Sequence, residues 1–365
     1  MCGIAGYISY NQVPKSNIES CKKIMFNRGP DFIGEYSSNS FKINNHFIHS
    51  RLSIIDLSNK ANQPFVFEDK VLLFNGEIYN YIELRKELVK KGHSFKTNSD
   101  SEVLLKSYIE YGDDCVKYFQ GMWAFVIIDN KKKTFLISRD RFGEKPLYYY
   151  FNDKEFIFGS EIKYIKKISG KNFKINKKKI FHYLNLGYKS INKDNNSFFK
   201  EIHSLESGTN LELNENFEVK KKKYWSPKLK IDNKINYQDI LENTEKLLVK
   251  SLEMRMRSDV PLAFCLSGGI DSGYLASIAT KKLNKRLSTF SIIDSDPRYN
   301  EEKNINKIVR DLKCDSELIK INDEKSFFER LKILTKQHDS PLSTISYFIH
   351  SFLSESISKK GFKVS

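Results

Sequence analysis

Short apolar runs broken by turn residues dominate the first part of the chain. The clearest predict β-strands over Gly3 to Ser9, Val71 to Phe74, Trp123 to Asp129, Phe135 to Ser138, Leu147 to Phe151 and Phe156 to Phe158. Helices are expected near Tyr81 to Lys90 and Ser101 to Tyr111. From Lys220 to Asn236 the pattern fades into polar and basic residues with Pro227, which predicts a first domain over 1–219, a linker over 220–236 and a second domain over 237–365. Past the linker the period changes: Ile240, Leu241, Thr244, Leu247, Leu248 and Leu252 share one helical face within Tyr237 to Arg257. Strand Leu262 to Leu266, helix Ser272 to Leu283, strand Thr289 to Ile293, helix Glu301 to Leu312 and strand Glu317 to Ile321 should follow. Such alternation implies an α/β domain with a parallel sheet flanked by helices.

Composition narrows the choice. A chain of 365 residues exceeds what one core ordinarily fills, and 40% hydrophobic with 13% aromatic residues argues against disorder. The formal charge of +16 would suit a nucleic-acid binder, but the excess is Lys and is scattered through Asn-rich segments. A Lys-rich solvated surface is the preferred reading, with no nucleic acid as partner. The runs at 131–133, 177–179 and 220–223 are expected in solvated turns or at exposed edges. Five cysteines without a C-x-x-C pair indicate neither a disulfide framework nor a zinc site. The N-terminus has no basic region followed by an apolar run, and no stretch of about 18 apolar residues occurs, so a cytoplasmic location without a membrane partner is expected.

Chemistry enters at the first residues, Met1-Cys2-Gly3-Ile4-Ala5-Gly6. Cys2 is small enough for the initiator to be trimmed, and the exposed α-amine, with a pKa of about 7.7 to 8.0, could take the thiol proton without a histidine. Asn75-Gly76 alone reads as a type I′ hairpin turn after the strand before it. Arg51 alone reads as half of a surface ion pair, and Ser99 with Glu102 as a capping box.

Several segments taken together change those readings. Arg28-Gly29-Pro30-Asp31, Arg51 to Asp56, Asn75-Gly76-Glu77-Ile78-Tyr79-Asn80, Ser99 to Glu102, Gly121 to Phe125, Arg139 to Gly143 and Pro146 to Tyr149 occur in that order. In this the chain resembles the N-terminal-nucleophile glutamine amidotransferases, and more narrowly the glutamine-hydrolysing asparagine synthetases. The resemblance implies an α+β αββα sandwich of the Ntn-hydrolase type, with Cys2 as nucleophile and Asn75 and Gly76 as oxyanion hole. It further implies that Arg51 and the backbone of Leu52 and Ile54 hold the carboxylate of glutamine, and that Glu77 and Asp100 hold its ammonium.

In the second half, Ser267-Gly268-Gly269-Ile270-Asp271-Ser272 joins a strand to a helix, a place where backbone N–H groups can cradle a phosphate. It lacks the Gly-Lys-Ser/Thr ending of a Walker A loop. It resembles instead the pyrophosphate loop of enzymes that split ATP between its α- and β-phosphates. The resemblance implies that Leu266 to Gly269, Asp271, Ser272 and Ile292 bind ATP, with Asp271 on Mg2+. The segment from His338 to Tyr347 does not keep the family's Glu-Pro-Phe pattern, so no aspartate contacts are assigned. The family pattern would continue beyond Ser365 into a second phosphate loop, S-G-x-G-x-D-E, so the ATP domain is expected to be incomplete, whether the chain is a fragment or naturally shortened.

The implied reaction is ATP-dependent synthesis of asparagine from aspartate through β-aspartyl-AMP, with glutamine as nitrogen source; these residues alone are expected to act only as a glutaminase. Alternatives are amidation of another carboxylate, such as a cell-wall or secondary-metabolite precursor, and a non-catalytic remnant. A homodimer is compatible with the resemblance.

Overall fold

A computed structural model describes residues 1–191, 194–229, 231, 235–321 and 327–365, so part of the expected linker (230 and 232–234) lies outside the described residues. The chain forms two compact units, 1–228 and 229–365.

The first unit opens with β1 (Gly3–Ser9), α1 (Lys15–Met25), β2 (Phe32–Ser40), β3 (Ile43–Arg51), β4 (Phe65–Phe67), β5 (Lys70–Ile78), α2 (Tyr81–Lys90) and α3 (Asp100–Tyr111). It continues with β6 (Gly121–Asp129), β7 (Thr134–Arg139), β8 (Tyr148–Asn152), β9 (Glu155–Gly159), α4 (Ile162–Ser169), α5 (Lys177–Leu186), β10 (Ile202–Ser204), β11 (Thr209–Asn214) and β12 (Val219–Lys223). The strands make two antiparallel six-stranded sheets, ordered β10-β8-β9-β1-β3-β2 and β12-β11-β7-β6-β5-β4.

The alternation of side chains along each strand explains the layers. On β5, Val71 and Leu73 enter the core between the sheets with Ile4, Ile8, Phe47, Val126 and Ile128. Leu72 and Phe74 point the other way, to Leu84 and Leu88 of α2 and Val103 to Leu105 of α3. On β1, Ala5 and Tyr7 turn outward to Ile18, Cys21 and Met25 of α1 and Ile162, Ile165 and Ile168 of α4. The result is helices, sheet, sheet, helices, the sandwich expected from the resemblance. Strands β1 and β6 and the Val71 to Phe74 part of β5 are buried on both faces, which is why they read as apolar runs.

The lysine runs part company. Residues 131–133 lie in the turn between β6 and β7. Lys220 to Lys223, expected to begin a linker, form exposed edge strand β12 on β11, where lysines discourage further pairing. Lys177 to Lys179 open α5, and Lys179 is buried on Asp194 Oδ1 at 2.7 Å rather than solvated.

The second unit comprises α6 (Tyr237–Arg255), β13 (Ala263–Cys265), α7 (Ile270–Ser277), β14 (Ser288–Ile293), α8 (Glu302–Leu312), β15 (Asp315–Lys320), α9 (Phe327–His338) and α10 (Ser346–Lys359). Its three strands are parallel, ordered β13-β14-β15. Leu266, Ala276, Ala279, Ile293 and Ile305 pack one side, with Ile308 and Leu312 against them; Ala263, Phe290 and Ile357 pack the other. Among the described residues no helix is long and apolar enough to cross a membrane.

Candidate active sites

Cys2 stands at the lip of β1, in the middle of its sheet. The Leu52 N–H donates to Cys2 Sγ at 3.3 Å, and Arg28 Nε donates to the Cys2 carbonyl at 2.9 Å. Arg28 is held in turn by Glu161, Nη1 to Oε1 3.2 Å. A Cβ on Gly3 would lie 2.7 Å from Ser50 Oγ, so the residue after the thiol has to be small. Burial pushes the Cys2 thiol up, against the Leu52 hydrogen bond, the chain amine, Lys145 and Arg51, which pull it down. Burial is also the main reason that the terminal amine falls from 8.0 to about 6. That amine belongs to Met1 here; trimming would put the Cys2 amine next to its own thiol.

Arg51 ends β3, and the loop after it folds back over the guanidinium. Nη1 donates to Ser58 O at 2.9 Å and Asn62 Oδ1 at 2.6 Å, and Nη2 donates to Asp56 O. Three of the five N–H donors are therefore taken by the loop, leaving two for a ligand carboxylate. The Arg28 to Asp31 segment braces the same turn: Asp31 N donates to Arg51 O at 3.0 Å, and Ser53 N donates to Asp31 Oδ2 at 2.7 Å. Gly29 is required there, since a Cβ would sit 2.3 Å from Ser50 C. Leu52 turns its N–H to Cys2 Sγ, and Leu52 and Ile54 are both half-buried.

Asn75 and Gly76 lie inside β5, opposite Ala124 and Trp123 of β6, not in a hairpin turn. Asn75 is buried, and its Nδ2 donates to Ser160 Oγ at 3.5 Å, an oxygen that also accepts from Ile4 N at 3.0 Å. Ser160 thus ties the amide of Asn75 to the strand that carries Cys2. If Asn75 is an oxyanion donor, Asn75→Ala should lower kcat for glutamine by about 10²–10³-fold with the fold retained, which steady-state kinetics and a melting curve will check together.

Glu77 and Asp100 are both buried. Burial raises the Glu77 carboxyl, with Lys145 and the chain amine acting against it. Burial also raises Asp100 from 3.8 to about 7, opposed by the hydrogen bond from Ile78 N to Oδ2 at 3.0 Å and reinforced by Glu77. Ser99 caps α3 by accepting from Ser101 N at 3.0 Å, but Glu102 turns away to Thr97 N at 2.7 Å and Lys96 N at 3.0 Å, so the reciprocal half of the capping box is absent. Because the folded state holds the Asp100 proton up to about 7 and the unfolded chain releases it near 3.8, stability falls as pH rises through that window, by up to about 1.4 kcal/mol per pH unit, and levels off above it. In Asp100→Asn, which can still accept from Ile78 N, this share of the pH dependence should vanish from denaturant titrations at pH 5 and 7.

Two neighbours escaped the sequence reading. Ser160 follows β9 with nothing in its spacing to mark it, and Lys145 looked like any of the many lysines. Lys145 is buried and donates from Nζ to Met1 Sδ at 3.3 Å.

In the second unit the loop from Leu266 to Ser272 is knotted by its own hydroxyls. Ser267 N donates to Ser272 Oγ at 3.1 Å, the two hydroxyls are 2.8 Å apart, and Gly269 N donates to Ser267 Oγ at 3.2 Å. Gly268 N donates to Glu301 Oε2 at 3.1 Å, so a carboxylate now sits on a donor that a phosphate would use. Leu266 is buried with its N–H on Phe290 O at 2.9 Å; Ile292 is half-buried two residues further along β14. Asp271 is exposed in the first turn of α7, and among the described residues no three His, Cys, Asp or Glu side chains are grouped to hold a metal by themselves.

Residues 1–225 match the model of a glutamine amidotransferase domain, and residues 243–365 that of asparagine synthase. A putative asparagine synthetase (glutamine-hydrolyzing) 2 of Methanocaldococcus jannaschii is 36% identical over 371 residues, covering 95% of this chain and 70% of that protein. Asparagine synthetases (glutamine-hydrolyzing) 1 and 2 of Bacillus subtilis are 32% and 37% identical, over 80% and 83% of this chain. The chain spans 46% and 41% of those two proteins. With two adjoining family models and an archaeal relative aligned along nearly its whole length, the chain belongs to the glutamine-hydrolysing asparagine synthetase family.

Proposed function

We propose that the first unit hydrolyses glutamine with Cys2 as nucleophile. The observation that carries this reading is the link from Asn75 Nδ2 through Ser160 Oγ to Ile4 N, which sets an amide donor beside the strand that bears the thiol. Once Met1 is removed, the Cys2 amine takes the thiol proton and the sulfur attacks the side-chain carbonyl of glutamine. The oxyanion is received by Asn75 Nδ2 and the Gly76 N–H. Collapse of the adduct expels ammonia, which takes the proton back from the amine, and water then releases glutamate from the thioester. Arg51 pairs with the substrate carboxylate, the backbone of Leu52 and Ile54 lines it, and Glu77 and Asp100 receive the ammonium.

For a protein that carries the whole synthase domain, the proposed acceptor is aspartate, activated by ATP as β-aspartyl-AMP with loss of pyrophosphate and then attacked by ammonia to give asparagine and AMP. The Ser267 to Ser272 loop would hold the phosphates once Glu301 yields Gly268 N–H, with Leu266 and Ile292 against the adenosine. A lone exposed Asp271 fits a Mg2+ that arrives with the nucleotide, since such ions keep waters and phosphate oxygens as most of their ligands. That ion would neutralise the leaving pyrophosphate.

The test has two parts. Glutamate release by the Met1-trimmed chain, with covalent capture of Cys2 by a glutamine-mimicking diazoketone, reports the first half; capture of a different residue overturns it. Pyrophosphate release by a protein that carries the whole synthase domain, fed aspartate or other candidate acids, reports the second, and turnover with another acid but not aspartate replaces the acceptor.

A further inference from the structure

Lys145 is a lysine that the fold has gone to some trouble to aim. It lies in the connection between β7 and β8, which wraps around the Asp140 carboxylate: Oδ1 accepts from Phe142 N at 3.0 Å and Glu144 N at 2.9 Å, and Oδ2 accepts from Lys145 N at 2.9 Å and Trp123 N at 3.2 Å. Arg139 closes the ring from the other side, donating from Nε to Lys145 O at 2.8 Å and from Nη2 to Gly143 O at 2.7 Å. Gly143 supplies the left-handed turn, with φ of 69°. Both backbone polar groups of Lys145 are thus tied, and its side chain runs inward until the residue is only 6% exposed.

What the ammonium meets there is unusual. Its hydrogen-bond acceptor is the Met1 thioether, a weak acceptor, whereas a buried ammonium ordinarily finds an anion. The thioether leaves with Met1 when the initiator is trimmed. The charges that face Lys145 are Glu77 on β5, Arg28 after α1, Cys2, Glu144 and the chain amine. Those that face Cys2 are the chain amine, Lys145 and Arg51 at the end of β3. Asp100 at the start of α3 faces Arg51 and Glu77.

We propose that Lys145 is a positioning residue for the glutaminase reaction, its rigidly held ammonium favouring the Cys2 thiolate over the thiol at the chain start. The inference rests on the glutamine-hydrolysing reading of the first unit. The thiol proton goes to the Cys2 amine and from there to the departing ammonia, and the lysine itself gives up no proton. A fixed cation acts here without reorganisation, whereas the same charge on a mobile surface lysine would be screened by water.

The experiment is the pH dependence of Cys2 alkylation by iodoacetamide in the Met1-trimmed chain, read by mass spectrometry of the N-terminal peptide so that the other cysteines do not intrude. Lys145→Met, which keeps the stem and loses the charge, should move the midpoint up by about one unit, so that alkylation well below it is about tenfold slower. Lys145→Arg should stay with the parent. Superposition of the Lys145→Met and parent profiles overturns the proposal, as does a Lys145→Arg shift as large as that of Lys145→Met. Should Lys145→Met lose its near-ultraviolet dichroism, Lys145→Gln against Lys145→Arg gives the same comparison. Iodoacetamide needs no glutamine turnover, so a chain without glutaminase activity can still show the shift, and an active one can lack it.

Discussion

Replacing Cys2 with alanine should abolish glutamate release from glutamine, an expected fall of at least about 10³-fold, while the melting temperature should stay close to that of the parent. The size follows from the proposed chemistry: without the sulfur no thioester forms, and water must attack an unactivated amide with only the proposed donors Asn75 and Gly76 left to steady the oxyanion. The fold should tolerate the change because Cys2 is half-buried at a strand end and the Arg28 hydrogen bond goes to its backbone carbonyl, which alanine keeps. A coupled glutamate assay on the two trimmed proteins is sufficient. Equal release from both would remove the enzymatic reading of the first unit, as would activity that persists with Met1 still attached.

Gly76→Ala should fail more broadly. A Cβ at this position would lie 2.1 Å from Met122 O, 2.7 Å from Phe74 Cε2 and 2.8 Å from Trp123 Cα. Two of the three are backbone atoms of the paired strand β6, so no rotamer change relieves the overlap; β5 and β6 must part at Gly76, between buried Asn75 and Glu77. Forcing strands apart in a packed core costs about 3 kcal/mol or more, a drop on the order of 10 °C in melting temperature for a unit of this size. Glutaminase activity should be lost in the same variant, since the N–H proposed to receive the oxyanion moves with the strand. A Gly76→Ala protein that melts with the parent would mean that the close approach is not real. Asn75→Ala is the contrasting case, losing rate but not fold.

Legibility along the chain followed burial. Strands β1, β5 and β6 were visible because both faces are apolar. Strand β3 is just as buried, yet Asn45, His49, Ser50 and Arg51 break its apolar pattern, and neither it nor β2 was anticipated. Helix α1 places Ile18, Cys21 and Met25 on one face but surrounds them with Lys, Ser and Asn, which hid it. Strand β12 reads as linker because four consecutive lysines carry no apolar signal at all. In the second unit the alternation of strand and helix came through with ends shifted by a few residues, since each element packs one clear apolar face.

Residue chemistry is available from the chain alone: a thiol one step from an amine, an Asn-Gly pair, an arginine followed by Leu-Ser-Ile-Ile, a Gly-rich turn before a helix. Order and spacing were enough to place the chain near a family. Direction was not available. That Asn75-Gly76 is a strand interior rather than a turn depends on β6 lying alongside it. That the Arg51 guanidinium is half taken by its own loop depends on residues 56–62 folding back. Ser160, Lys145 and Glu301 stand beside the proposed reacting groups only because pairing and packing bring together segments from tens to more than a hundred residues apart. Local sequence sets what a side chain can donate or accept, whereas sheet register and burial decide which distant partner it meets and what charge it carries there.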